Sequence, residues 1–147
     1  MKPGSAAPIW VIGLGCRQGC SVDDLWTLIE HSLSQAGVAV SDLSAMASFD
    51  RKADEPGLMQ LAEHLNLEFE VFSAKQLVPF VSRLSHRSEQ AFEHTGCWGI
   101  AESSALALAE HLSGAPATLL ITRQCSPKAT FALACAEQSA RLSPASL

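Results

Sequence analysis

The sequence lacks most of the features that would fix a function at once. It has no run of 18 apolar residues, so no segment is expected to span a membrane, and residues 1–8 lack the apolar centre of a signal peptide. No cluster of Lys and Arg is present, and the formal charge is −5, which argues against a broad phosphate-binding surface. There is no Gly-x-x-x-x-Gly-Lys-Ser/Thr loop for a nucleoside triphosphate and no Gly-x-Ser-x-Gly nucleophile elbow. The five histidines include no His-x-x-x-His pair, and Cys16-x-x-x-Cys20 has no second Cys/His pair at zinc spacing. No metal and no cofactor is therefore expected. An odd number of cysteines, five, in a chain able to fold around its own core reads as free thiols in a reducing compartment. A soluble, cytoplasmic protein with neither nucleic-acid nor membrane partners is the expectation.

What is present is a regular alternation of strand and helix signals. With 147 residues and 48% hydrophobic content, the chain can bury one sizeable core. Residues 9–14 read as a first strand, and from Ser21 the pattern turns helical, with Leu25, Leu28, Ile29 and Leu33 at three- and four-residue intervals and Gly37 at the stop. A second strand is expected near residues 44–49. Pro56 then opens a helix that buries Leu58, Leu61, Ala62 and Leu65. Residues 67–72 form a half-exposed strand, and Ser73 and Gln76 have capping-box spacing. After a polar connection at 82–93, an alanine-rich helix over 100–112 presents Ala101, Ser104, Ala105, Leu108 and Leu112 on one face. Strands at 117–121 and 129–135 close the pattern, with a loop at 122–127 between them.

These signals predict a single three-layer α/β domain over residues 9–137, with a mostly parallel sheet, an antiparallel edge strand and helices on both faces. Residues 1–8 are expected to form a flexible leader and residues 138–147 a tail.

Two stretches carry chemistry. The first is the glycine-rich turn Gly13-Leu14-Gly15-Cys16-Arg17-Gln18-Gly19 and the Ser21 cap that follows it. Glycines allow a close backbone approach, helix-start N–H groups suit an anion, and Arg17 offers a fork for carboxylate or phosphate. The same turn also serves simply to begin an α/β domain. As a dinucleotide fingerprint it has its third glycine, Gly19, one position late. Cys16, beside Arg17 and ahead of a helix start, has the surroundings of an activated thiol, or of a small residue in a tight loop. The second stretch runs from Ser48 to Leu58 and packs Asp50, Arg51, Lys52, Asp54 and Glu55 into six positions between strand and helix. It reads equally as one wall of a crevice or as a solvated turn whose Glu55 caps the helix. Lys128 stands at the mouth of the last strand.

These stretches, with residues 96–99 leading into Ala101-Glu102-Ser103-Ser104-Ala105-Leu106 and with Lys128-Ala129-Thr130, resemble the CobE family, which is similar to the C-terminal domain of CbiG. The resemblance covers about residues 9–135. It implies a cytoplasmic protein of corrin-ring synthesis; CbiG proteins open the ring-A lactone of a cobalt-containing precorrin and release a two-carbon fragment as acetaldehyde. A tetrapyrrole polycarboxylate would suit the residues already named. The expected ligand-binding set is Gly13, Gly15, Arg17, Gly19, Ser21, Lys52, Glu102, Ser103 and Lys128, with Asp50, Glu55 and Cys16 as catalytic candidates. Two alternatives stand beside hydrolysis: a non-catalytic carrier or partner subunit of other cobalamin-pathway enzymes, and a dinucleotide-dependent enzyme.

Overall fold

Strand β1 (Ile9–Cys16) leads into helix α1 (Val22–Ala36), strand β2 (Ala45–Phe49), helix α2 (Pro56–Leu65) and strand β3 (Glu68–Phe72). The short helix α3 (Ala74–Leu77), the long helix α4 (Ile100–Ser113) and strands β4 (Thr118–Cys125) and β5 (Ala129–Ala136) complete the order, with 3₁₀ segments over Val40–Asp42 and Val78–Arg83. The computed structural model describes residues 8–16, 21–50, 55–83, 100–126 and 128–137. The expected leader up to residue 7, residues 84–93 of the polar connection and the tail from residue 138 lie outside that set.

Local chemistry sets the helix ends. The Ser21 hydroxyl accepts the Asp24 N–H at 3.0 Å while the Asp24 carboxylate accepts the Ser21 N–H at 3.2 Å, so two of the orphan donors at the start of α1 are satisfied reciprocally. Gly37 closes the helix with φ of 74°, a left-handed position that glycine adopts without a steric penalty. Pro56 begins α2 where its missing N–H costs nothing. Ser73 and Gln76 form the expected box at the start of α3. Glu55 occupies the cap position of α2, as its place before Pro56 predicts, but its side chain makes no capping bond, and the expected side-chain cap is thereby corrected.

The sheet has the order β3-β2-β1-β5-β4. Neighbours β1/β2 and β2/β3 are parallel, and β5 runs antiparallel to both β1 and β4. The β4/β5 pair thus supplies the antiparallel side of the sheet, with β4 as the outer strand. Two strands, β1 and β4, are longer than their apolar runs. β1 extends past Leu14 because Gly15 and Cys16 find partners in Thr130 and Ala129. β4 continues to Cys125 through the polar residues expected to form a loop; an edge strand tolerates them, and ladder irregularities between Leu119 and Ile121 and between Ile121 and Gln124 absorb the misfit.

Alternation along β1 divides the core. Ile12 and Leu14 join Leu25, Ile29, Leu33, Leu58 and Leu61 under α1 and α2. Val11 joins Ala105, Leu106, Leu108 and Ala109 of α4 on the opposite face, together with Ala45, Ala134 and Ala136. At about 1.5–3 kcal/mol per fully buried large aliphatic side chain, the first cluster is the main source of hydrophobic stabilisation. Trp26 of α1 and His64 of α2 meet edge-on with ring centroids 6.2 Å apart. Helix α4 lies between the sheet and the α3 region, so every residue from Ala101 to Ala109 is buried rather than one stripe alone. Leu112, expected on the buried stripe, is 40% exposed near the end of that helix. No helix among the described residues is long and apolar enough to cross a membrane.

Candidate functional site

The carboxyl ends of β1, β2 and β4 gather at one edge of the sheet with the start of β5 and the first turns of α1, α2 and α4. The chain leaves β1 across one face through α1 and returns to β4 across the other through α4. In open α/β sheets the crevice outside the strand ends at such a division is where ligands bind. Several of the expected site residues stand at this rim, while others are carried beneath it.

Gly13 is among the latter. A Cβ at this position would overlap the Ala101 carbonyl oxygen and stand 2.9 Å from the Ala105 Cβ, so the glycine is what lets α4 lie directly on β1. Gly13 is buried in the strand and offers no loop N–H to a pyrophosphate, which removes the support for a dinucleotide cradle. Gly15, half-buried and closer to the strand end, has the Thr130 hydroxyl 2.7 Å from where its Cβ would be. Ser48, fully buried in β2, donates its hydroxyl to the Leu14 carbonyl at 2.6 Å and fastens β2 to β1 just below the rim.

Glu102 and Ser103, expected as ligand contacts, are 1% and 0% exposed in the first turn of α4. The Glu102 carboxylate accepts the backbone N–H of Arg123 at 2.7 Å, a donor freed where β4 slips out of register with β5. Glu102 therefore anchors the edge strand from within, and both residues stand away from solvent.

Ser21 and Lys128 come to the same side of the rim. A cleft of about 540 Å³ opens between α1 and the β4–β5 turn, lined by Asp24, Thr27, Leu28, His31, Cys125, Ser126 and Lys128. The Ser21 N–H holds the Asp24 carboxyl below its ordinary value of 3.8; the Ser21 hydroxyl and the attraction of Lys128 act in the same direction, against a smaller loss of hydration. The turn itself is closed by Ser126, whose N–H donates to the Ala129 carbonyl at 2.8 Å and whose hydroxyl accepts the Ala129 N–H at 3.2 Å. Asp50 is exposed directly after β2, and Glu55 is 9% exposed at the start of α2. Cys16 ends β1 opposite Ala129. Arg17, Gly19 and Lys52 lie outside the described residues.

The cleft contains residues that the sequence did not mark as site residues. Asp24, Thr27, Leu28 and His31 fall at i, i+3, i+4 and i+7 along α1, a helical stripe that the apolar stripe through Leu25 and Leu33 obscures. Cys125 and Ser126, expected within a loop at 122–127, line the cleft where β4 runs on beyond its apolar residues. No group of three His, Cys, Asp or Glu side chains suited to a metal ion occurs among the described residues.

The comparisons with known proteins agree with this architecture. The family described as cobalamin synthesis G C-terminus matches residues 10–134. Over 124 residues the chain is 39% identical to Protein CobE of Sinorhizobium sp, covering 84% of this chain and 78% of that protein. It is 29% identical over 98 residues to the cobalt-precorrin-5A hydrolase of Priestia megaterium, which spans 67% of this chain and 26% of the hydrolase. The crystal structure of CobE, a protein from the cobalamin (vitamin B12) biosynthetic pathway, matches with a TM-score of 0.86 at 39% identity, covering 90% of this chain and 93% of that one.

Proposed function

The chain belongs to the cobalamin synthesis G C-terminus family and is a cobalamin-biosynthesis protein, and from that premise we propose that its rim binds a precorrin-type tetrapyrrole polycarboxylate in the cytoplasm. The observation that carries this reading is Lys128 facing, across one cleft at the carboxyl ends of the strands, the first turn of the helix that Ser21 caps. Corrin precursors carry carboxylates around a large ring, and a cation beside helix-start N–H groups is suited to them. Arg17 and Lys52, outside the described residues, add positive charge to the stretches that follow β1 and β2 in the sequence.

Asp50 and Glu55 are the carboxylates from which we infer a hydrolytic role. Lactone opening adds water across the ester, leaving a carboxylate and an alcohol, and a carboxylate at the rim can take the proton from that water; acetaldehyde then forms as the alcohol loses its proton and the C–C bond holding it to the ring breaks, the bonding pair passing to the ring. A second reading has its own support: the chain spans only 26% of the Priestia megaterium hydrolase, which suits a carrier or partner subunit working beside other pathway enzymes. Cobalt-precorrin-5A added to the purified protein separates the two. A spectral change with acetaldehyde release is expected of the hydrolase; a saturable spectral change without acetaldehyde makes the chain a carrier. Absence of both defeats the proposal.

A further inference from the structure

The cleft beside α1 is ordered along its length. Asp24, Leu28 and His31 follow one another on the wall that α1 supplies, and at 1.5 Å per residue the histidine stands about 10 Å along the helix from the aspartate, close to two turns. Lys128 belongs to the other end. Its turn joins β4 to β5 beside the Cys16↔Ala129 pairing where β1 finishes, at the height of the first turn of α1, and its charge acts on Asp24 there. Between the two ends lies Leu28, 8% exposed, whose uncovered edge makes the middle of the wall apolar. The His31 imidazole is exposed and makes no hydrogen bond among the described residues. Whatever its tautomer, an imidazole has an N–H to donate.

A cation and an N–H donor at the two ends of an apolar wall do not suit one carboxylate, whose two oxygens share a carbon. They suit a broad apolar ring whose acid arms leave its edge at separate points. We propose that His31 is a second carboxylate-binding residue of this site, donating its N–H to one acid arm of the tetrapyrrole while Lys128 takes another and the ring edge between them rests on Leu28. The assignment deepens the functional reading above and rests on it for the identity of the ligand. It also gives the ring a direction. Asp24 repels an acid arm at its own end, where Lys128 offsets it, whereas His31 lies beyond the screening length of about 8 Å in physiological salt.

Absorbance titrations of the full chain with cobalt-precorrin-5A compare the wild type with His31→Ala, Lys128→Ala and the double variant. His31→Ala is expected to bind about 10- to 100-fold more weakly at an unchanged denaturation midpoint, and the double variant to lose the product of the two single factors, as contacts to separate arms do. Equal affinity in the wild type and His31→Ala overturns the assignment and leaves the ligand reading in place. A double variant no weaker than Lys128→Ala puts both residues on one arm and overturns it as well. The same series is run with uroporphyrin, a metal-free macrocycle with acid arms on every pyrrole. A wild type that binds uroporphyrin, more weakly after His31→Ala, but not cobalt-precorrin-5A defeats the ligand reading and keeps His31 as a carboxylate contact. Binding of neither ring defeats both.

Discussion

The Glu102 carboxylate accepts the Arg123 backbone N–H at 2.7 Å, and through this bond the first turn of α4 holds the edge strand β4 in its irregular course. Glu102→Ala removes the acceptor and leaves a backbone donor without its partner, so a loss of about 1–3 kcal/mol is expected in chemical denaturation. Glu102→Gln retains an acceptor oxygen and should recover most of it. Equal losses in the two variants would show that the bond to Arg123 is not what the residue contributes.

Gly13→Ala tests the contact between α4 and β1. Its Cβ would overlap the Ala101 carbonyl oxygen, an atom that cannot turn aside as a side chain can. The expected loss is about 1–3 kcal/mol or more, as for other overpacked cores, read from the denaturation midpoint. Adding Ala105→Gly should not restore it, because the nearest obstruction is backbone. Full rescue by that second change would place the clash at the Ala105 methyl instead.

How much of this was legible in the sequence depends on how far away each residue's partner lies. The box of Ser21 and Asp24, the stop at Gly37, the start at Pro56 and the box of Ser73 and Gln76 all join residues within one helical turn or at one chain position, and the local pattern announces them. The parallel sheet with an antiparallel side follows from helices interposed between apolar runs and one short connection near residue 127. Gly13 was harder: a glycine beside a strand end serves a ligand or a neighbouring helix equally well, and the deciding atoms, at Ala101 and Ala105, are some ninety residues away. Glu102 was read as a ligand contact because its partner is a main-chain N–H, and that donor is free only because β4 departs from its ladder. No residue type encodes that departure. Of the expected site residues, Lys128 lines the cleft, and the cleft itself, built from α1 and the β4–β5 turn, needed the fold.

Asp24 should make α1 sensitive to acid. Its carboxyl is held below 3.8 in the folded chain, chiefly by the Ser21 N–H, so the folded state takes up this proton at lower pH than the unfolded chain does. The stability it contributes is complete above its ordinary value and is lost as the pH falls from there through the lower folded value. Denaturation midpoints measured from about pH 7 down to about pH 3 should therefore fall less steeply at the acid end in Asp24→Asn than in the wild type. Parallel curves for the two proteins would mean that the capping box does not couple to protonation.

Lys128 should matter to ligand and little to fold. It is exposed in the turn before β5 and faces the cleft with Asp24. Lys128→Ala is expected to leave the denaturation midpoint within about 0.5 kcal/mol of the wild type, as for surface substitutions generally. Its affinity for cobalt-precorrin-5A should fall by about 1.5–3 kcal/mol if the ammonium meets a carboxylate of the ring. A variant that binds as the wild type does would move the anion contact elsewhere on the rim.

The most direct measurement of the central claim is a calorimetric titration of the full chain with cobalt-precorrin-5A at low and at raised salt. A tetrapyrrole polycarboxylate held at the strand ends by fixed charges and N–H groups predicts saturable binding of one ring per chain, weakened as salt screens the carboxylate contacts. Heats that never saturate, or an affinity indifferent to salt and to the loss of Lys128, would contradict it.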